Sequence, residues 1–166
     1  MQTESSSSLS LEQPKETQDH YRIKNIVDND SLTFAEKIIN IKSLEARSEK
    51  SAMMSRSGDI VVVNVDLAMA QDSTGPLAIR SLNEMNIERL HDPARTFLVI
   101  DHTFPAADEK VANLHAMMRD FASRHTCLII EGSISHQYIL EYLAAPGMMI
   151  LGADSHTCQA GCLGAF

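Results

Sequence analysis

Two short acid–imidazole runs, Asp101-His102 and Asp154-Ser155-His156, each directly follow a stretch of apolar residues. A carboxylate beside an imidazole orients the ring and raises its basicity, which brings a histidine into range for proton transfer near neutral pH. A third candidate, His136, comes after Glu131-Gly132-Ser133, where an apolar run gives way to a helix-like one. In open α/β sheets ligands bind beyond the carboxyl ends of the strands, so clusters at such ends can share one pocket. Each also has a plain structural reading. Asp101-His102 can be a turn, Asp154 to Thr157 an N-cap cluster, His136 a helix start, and Gln71-Asp72-Ser73-Thr74 an ordinary polar turn. His91, His115 and His125 are read as structural, in a loop, on a helix flank and near a helix C-terminus where a cation is favoured. His20 falls in the N-terminal stretch.

Cys158 and Cys162 lie four positions apart, and Cys127 sits in an apolar run. A metal site takes three or four ligands. Two neighbouring cysteines in a Gly-rich segment read better as small packing residues, so no metal ligand is assigned on this chain.

The elements that would carry these residues follow from local pattern. Residues 1–30 are Ser-, Gln- and acid-rich with few apolar side chains, the composition of a disordered tail. Order is expected from Ser31. Thr33 and Glu36 have capping-box spacing, and Phe34, Ala35, Ile38, Ile39 and Ile41 give one face of a helix. Glu45 to Arg56 reads as a loop or ragged helix, and Ser57-Gly58-Asp59 as a turn. The β-branched run Ile60 to Val65 is the clearest strand signal. Thr74-Gly75-Pro76 should break the chain before a helix over Leu77 to Met85. A strand over Thr96 to Ile100 precedes an amphipathic helix over Ala107 to His125, with Val111, Leu114, Met118 and Phe121 near helical spacing. Cys127 to Ile130 is a strand, His136 to Ala144 a helix stopped by Pro146-Gly147, and Met148 to Leu151 a strand. Strands alternating with helices indicate an α/β domain with a largely parallel sheet. The Gly-rich, apolar ending at Gly161 to Phe166 suggests that sequence continues beyond it.

Bulk properties exclude several classes. A net charge of −8 over 166 residues argues against nucleic acid or an anionic membrane, since phosphate neutralisation requires clustered Lys and Arg. No apolar run approaches the roughly 18–20 residues of a membrane span. The first residues show neither a secretory h-region nor an Arg-rich, acid-poor presequence. An odd count of three cysteines favours a reducing, cytoplasmic setting.

Taken in order, GDIVVVNVDLAMAQDSTGPLAI, VIDHTFPAADEKVANLHAMMRDFA and GSISHQYILEYLAAPGMMILGADSHTCQAGCLGAF resemble the large subunits of the 3-isopropylmalate dehydratase, homoaconitase and aconitase family, over about Leu32 to Phe166. The resemblance implies a partial aconitase-type three-layer α/β domain over residues 31–166. It also implies a hydro-lyase that isomerises a hydroxy di- or tricarboxylate through an unsaturated intermediate, in leucine or lysine biosynthesis, with a [4Fe-4S] cluster whose open iron acts as a Lewis acid. By the same resemblance Asp101 and His102 assist departure of the hydroxyl, and His136 is a second active-site histidine paired with Asp154. Ser155 and His156 then contact the substrate and the cluster-bound water, and Gln71 contacts the substrate.

The departures narrow that expectation. The family's cluster cysteines lie further along, in Ser-Cys-Thr and Cys-x-x-Cys contexts, and neither occurs here. Its general base, a serine of a swivelling domain or small subunit, is also outside this chain. The expected reading is the N-terminal part of such an enzyme, inactive alone and dependent on a missing C-terminal part and a small subunit. Alternatives are a non-catalytic fragment kept as a binding module, and a mononuclear metal site built from His102, His136 and His156.

Overall fold

A computed structural model describes residues 15–44 and 54–166. A four-stranded, wholly parallel sheet forms its centre, with strands β1 (Leu67–Gln71), β2 (Thr96–Ile100), β3 (Leu128–Glu131) and β4 (Ile150–Gly152) in the order β3-β2-β1-β4. Helices α1 (Lys15–Val27) and α2 (Phe34–Lys42) precede the sheet. Between the strands lie α3 (Gly75–Glu84), α4 (Glu109–His125) and α5 (Ser135–Tyr138), the last running into a π turn at Ile139–Leu143; a 3-10 segment, Thr157–Leu163, follows β4.

Period-two alternation makes the sheet the middle of three layers. Leu98 and Ile100 of β2 point to one face and pack with Ile79 of α3 and with Met118, Phe121 and Ala122 of α4. Phe97 and Val99 point to the other, where Leu67, Met69, Ile139, Ile150, Ala160 and Ala165 close the core. Val99 and Ile100 have no exposed surface, and each such burial stabilises the fold by about 1.5–3 kcal/mol. The expected α/β architecture with a parallel sheet is therefore present.

The Ile60 to Val65 expectation is wrong. The segment is extended but joins the sheet nowhere; its ladder contacts are Leu44 N–H to Val62 O (2.9 Å), Asn64 N–H to Lys42 O (2.9 Å) and an isolated bridge between Ser43 and Val63. β-branched residues favour extended backbone, yet a sheet strand must also bury a face, and Ile60 is 95% exposed. The strand is instead Leu67–Gln71, a Leu-Ala-Met-Ala-Gln run with weak intrinsic preference that becomes β because it lies between β2 and β4.

Other boundaries move less. Gly75 and Pro76 do not break the chain but open α3, with proline in the first turn, where its missing N–H leaves no helical bond unmade. The capping box is present: Thr33 N–H donates to Glu36 Oε2 (2.8 Å), and Glu36 N–H donates to Thr33 Oγ1 (3.3 Å). The expected helix over His136 to Ala144 is one α turn followed by the π turn, closed by Ala144 N–H to Ile139 O (2.8 Å). Part of the 1–30 stretch is helical: α1 packs on α2 and buries Ile26. Residues 1–14 and most of the Glu45 to Arg56 stretch lie outside the described residues.

Candidate active site

Every strand of the sheet delivers a polar residue at or just beyond its carboxyl end. Gln71 closes β1 and Asp72 follows it; Asp101 and His102 follow β2; Glu131 closes β3; Asp154 lies just past β4. The chain runs from β1 outward through β2 to β3, then returns to the other side of β1 for β4. That reversal of strand order opens a crevice at the β1 and β4 ends. Thr74 Oγ1 donates to Ala153 O, and Ala153 N–H donates to Met69 O (2.9 Å), which ties the two ends together.

The first half of the site is built on Asp72, Asp101 and His102. His102 Nδ1 lies 2.6 Å from Asp101 Oδ1 and 3.4 Å from Asp72 Oδ1. Both carboxylates are buried, whereas the imidazole is 42% exposed. Asp101 Oδ2 accepts Ser135 N–H at 2.8 Å, and Asp72 accepts the backbone N–H groups of His102 (3.2 Å) and Thr103 (2.9 Å). The hydrogen bond to Asp101 is the main cause of a raised His102 pKa; burial opposes it, and the charges of Asp101, Asp72 and Asp154 add to it. Burial pushes the Asp101 carboxyl up, but the Ser135 N–H and the His102 ring outweigh it and hold it below its ordinary value. With Nδ1–H held by Asp101, Nε2 is the ring nitrogen left for a ligand.

The second half comprises His136, Asp154 and His156. His156 N–H donates to Asp154 Oδ2 at 2.7 Å, an Asx turn within the loop. Asp154 Oδ2 is also 3.6 Å from His156 Nδ1 and 4.0 Å from His136 Nδ1, and the two rings stack at 5.3 Å between centroids. His136 Nδ1 is buried without a hydrogen-bond partner. Ser155 Oγ is 3.2 Å from His156 Nδ1. Two glycines make this geometry possible. Gly132, at φ +75°, turns β3 toward Ser135 with the Phe104 ring against its Cα, and at Gly152 a side chain would collide with that of Thr157.

The residues expected from sequence thus form two groups. Asp101 and His102 lie in one, and His136, Asp154 and His156 in the other with Ser155 alongside. Gln71 is buried at the end of β1, where its Oε1 accepts Ser73 N–H at 2.6 Å. The alternative trio of His102, His136 and His156 does not form one potential ligand set among the described residues. Among the described residues the potential metal-ligating groups are His136, Asp154 and His156, and separately Asp72, Asp101 and His102. Sequence reasoning missed Asp72, although a carboxylate just after a strand is the signal that singled out Asp101 and Asp154. It also passed over Ser135, whose contribution is a backbone N–H.

A family model described as "Aconitase family (aconitate hydratase)" matches residues 36–166. The chain belongs to the aconitase family. It is 38% identical over 136 residues to the 3-isopropylmalate dehydratase large subunit of Elusimicrobium minutum, covering 81% of this chain and 31% of that protein. Large subunit 1 of the same enzyme is 41% identical over 139 residues in Methanopyrus kandleri, covering 81% and 31%. In Thermotoga maritima it is 40% identical over 136 residues, covering 81% and 30%. The chain therefore spans less than a third of the length of these relatives.

Aconitase-family membership implies an iron–sulfur cluster in the intact enzyme. The residues present do not fit one. Cys127 is buried beside the foot of β3, opposite the site end of the sheet, and Cys158 and Cys162 are exposed on the 3-10 segment. Among the described residues no potential metal-ligating group contains a cysteine, and such clusters are held by cysteine thiolates.

Proposed function

We propose that this chain is the substrate-facing N-terminal part of a [4Fe-4S]-dependent hydro-lyase of the 3-isopropylmalate dehydratase or homoaconitase type, acting in the cytoplasm in leucine or lysine biosynthesis. The observation that carries this reading is the Asp101–His102 hydrogen bond at 2.6 Å, facing the His136–Asp154–His156 group across the end of β1. A protonated His102 suits the departure of a hydroxyl: as the C–O bond breaks, the ring supplies the proton that makes the leaving group water. Asp101 stabilises the imidazolium before the step and fixes the tautomer after it. His136, Ser155 and His156 orient the carboxylates and hydroxyl of a hydroxy di- or tricarboxylate, and Gln71 lines the floor.

The proton on the adjacent carbon needs a base, which this reading assigns to a small subunit or swivelling domain. The cluster and its cysteines belong to the remaining two-thirds of the large subunit. Charge supports a divided site. Asp72, Asp101 and Asp154 are buried, and among the described residues no lysine or arginine forms an ion pair with them. In this reading the cations that bind the substrate's carboxylates are supplied by those other segments.

The test is a chimera. Residues 36–166 replace the corresponding segment of the Thermotoga maritima large subunit, which is assembled anaerobically with its small subunit and assayed for 3-isopropylmalate dehydration. Turnover that falls on His102→Ala supports the proposal. A folded, cluster-loaded chimera without turnover overturns it in favour of a non-catalytic binding module.

A further inference from the structure

His115 is the one histidine of α4 turned fully into the protein, 2% exposed, and its Nε2 is buried with no hydrogen-bond partner. That atom lies 3.5 Å from Asp72 Oδ2, just beyond hydrogen-bond reach. Asp72 is itself buried, and its other contacts all run to one place: Oδ1 accepts the backbone N–H of His102, Oδ2 accepts that of Thr103, and the His102 ring stands 3.4 Å from Oδ1. Among the described residues no lysine or arginine pairs with Asp72, and a buried carboxylate with two backbone donors alone is poorly compensated; the His115 ring lies 3.5 Å from its Oδ2. The other charged groups facing His115 are Glu131 at the end of β3 and Arg119 one turn along α4. These satisfy each other through a two-pronged pair at 2.7 and 2.8 Å.

We propose that His115 is a positioning residue for the hydro-lyase site: in solution its Nε2–H closes the 3.5 Å separation from Asp72 Oδ2 to a hydrogen bond that holds that carboxylate where it clamps the His102–Thr103 backbone. The imidazole is thereby connected to His102 through Asp72, the second carboxylate beside the His102 Nδ1 together with Asp101. The buried Nε2 has no hydrogen-bond partner, and the carboxylate that splints the loop lies 3.5 Å from it. The proposed role rests on the hydro-lyase reading, but the hydrogen bond is testable without turnover, so the two can fail separately.

The experiment uses the isotopically labelled chain and reads amide hydrogen exchange together with imidazole nitrogen shifts. His115→Phe keeps the volume and removes the donor; His115→Gln restores an N–H near the Nε2 position. Losing a hydrogen bond to a charged group corresponds to about a tenfold or greater change in an opening equilibrium. The Phe variant is therefore expected to speed exchange at His102 and Thr103 by about that factor relative to Leu98 and Val99, and to shift the His102 ring nitrogens. The Gln variant is expected to reverse both effects. Unchanged loop amides in the Phe variant overturn the proposal, as does uniform acceleration of all amides that Gln fails to reverse. If the Phe variant does not fold, Asp72→Asn decides: the His115 ring nitrogens move if the two are bonded and stay if they are not.

Discussion

Ser135 donates its backbone N–H to Asp101 Oδ2 at 2.8 Å, and so joins the loop before α5 to the end of β2. One carboxylate thus orients the His102 ring with one oxygen and anchors the turn leading to His136 with the other. Replacing Asp101 by alanine should disturb both halves of the site. It leaves a buried N–H unsatisfied, and the expected cost is about 1–3 kcal/mol, read from urea unfolding. Asp101→Asn retains an acceptor for Ser135 and should cost less. A loss below about 0.5 kcal/mol, the range of an ordinary surface substitution, for Asp101→Ala would show that the Ser135 bond contributes little.

The same pair predicts a pH window. His102 has a folded pKa above its ordinary 6.5, so its contribution to stability is full below 6.5 and is lost as pH rises through the folded value. Asp101 has a folded pKa below its ordinary 3.8, so its contribution is present above 3.8 and is lost as pH falls through the folded value. The pair should therefore stabilise most between about 3.8 and 6.5. In a histidine NMR titration Asp101→Asn should lower the His102 midpoint; an unchanged midpoint would refute the assigned cause.

Much of the fold was legible in the sequence because burial and local pattern agreed there. Thr96 to Ile100 is apolar throughout and forms the β2 strand, and α4 follows its helical spacing to His125. Reading failed where the two diverged, as at Ile60 to Val65, where Ile60, Val62 and Val65 are exposed, and at Leu67–Gln71, whose alanines give no strand signal. Asp101, His102, His136 and Asp154 were visible as side chains after strands. The Asp72 clamp and the Ser135 N–H were not, because their roles depend on backbone donors brought together from segments distant in sequence.

That divergence is measurable. Ile60→Lys should change stability by no more than about 0.5 kcal/mol, as for other exposed positions. Ile100→Ala in β2 should cost about 2–5 kcal/mol. Thermal unfolding followed by far-ultraviolet circular dichroism separates the two, and equal costs would contradict the placement of Ile60 outside the sheet and in solvent.

Gly152→Ala tests the approach of the 3-10 segment to β4. Its methyl group meets the Thr157 side chain, and overpacking of this kind costs about 1–3 kcal/mol. Gly152→Ala combined with Thr157→Ala, which removes both Oγ1 and Cγ2, should recover part of that loss; no recovery would mean that the strain lies elsewhere.

Cluster binding gives a further check. The chain alone, reconstituted anaerobically with iron and sulfide, is expected to hold no stoichiometric cluster and to show no isopropylmalate dehydration. Cys158→Ser with Cys162→Ser should leave its iron content unchanged. One cluster per chain, lost in the double variant, would overturn the division of the site between this chain and another segment.

The strand order also fixes a length. β2 and β4 are both neighbours of β1, so the strands that end at Ile100 and Gly152 stand two inter-strand steps apart, about 9–10 Å. That interval is set by peptide hydrogen bonds rather than by side chains, and it comes before any choice of catalytic residue. Loop substitutions can retune proton affinities or reshape the walls between the two histidine groups. The strand ends keep their spacing under such changes, so side-chain length alone sets how far each histidine group reaches into the interval between them.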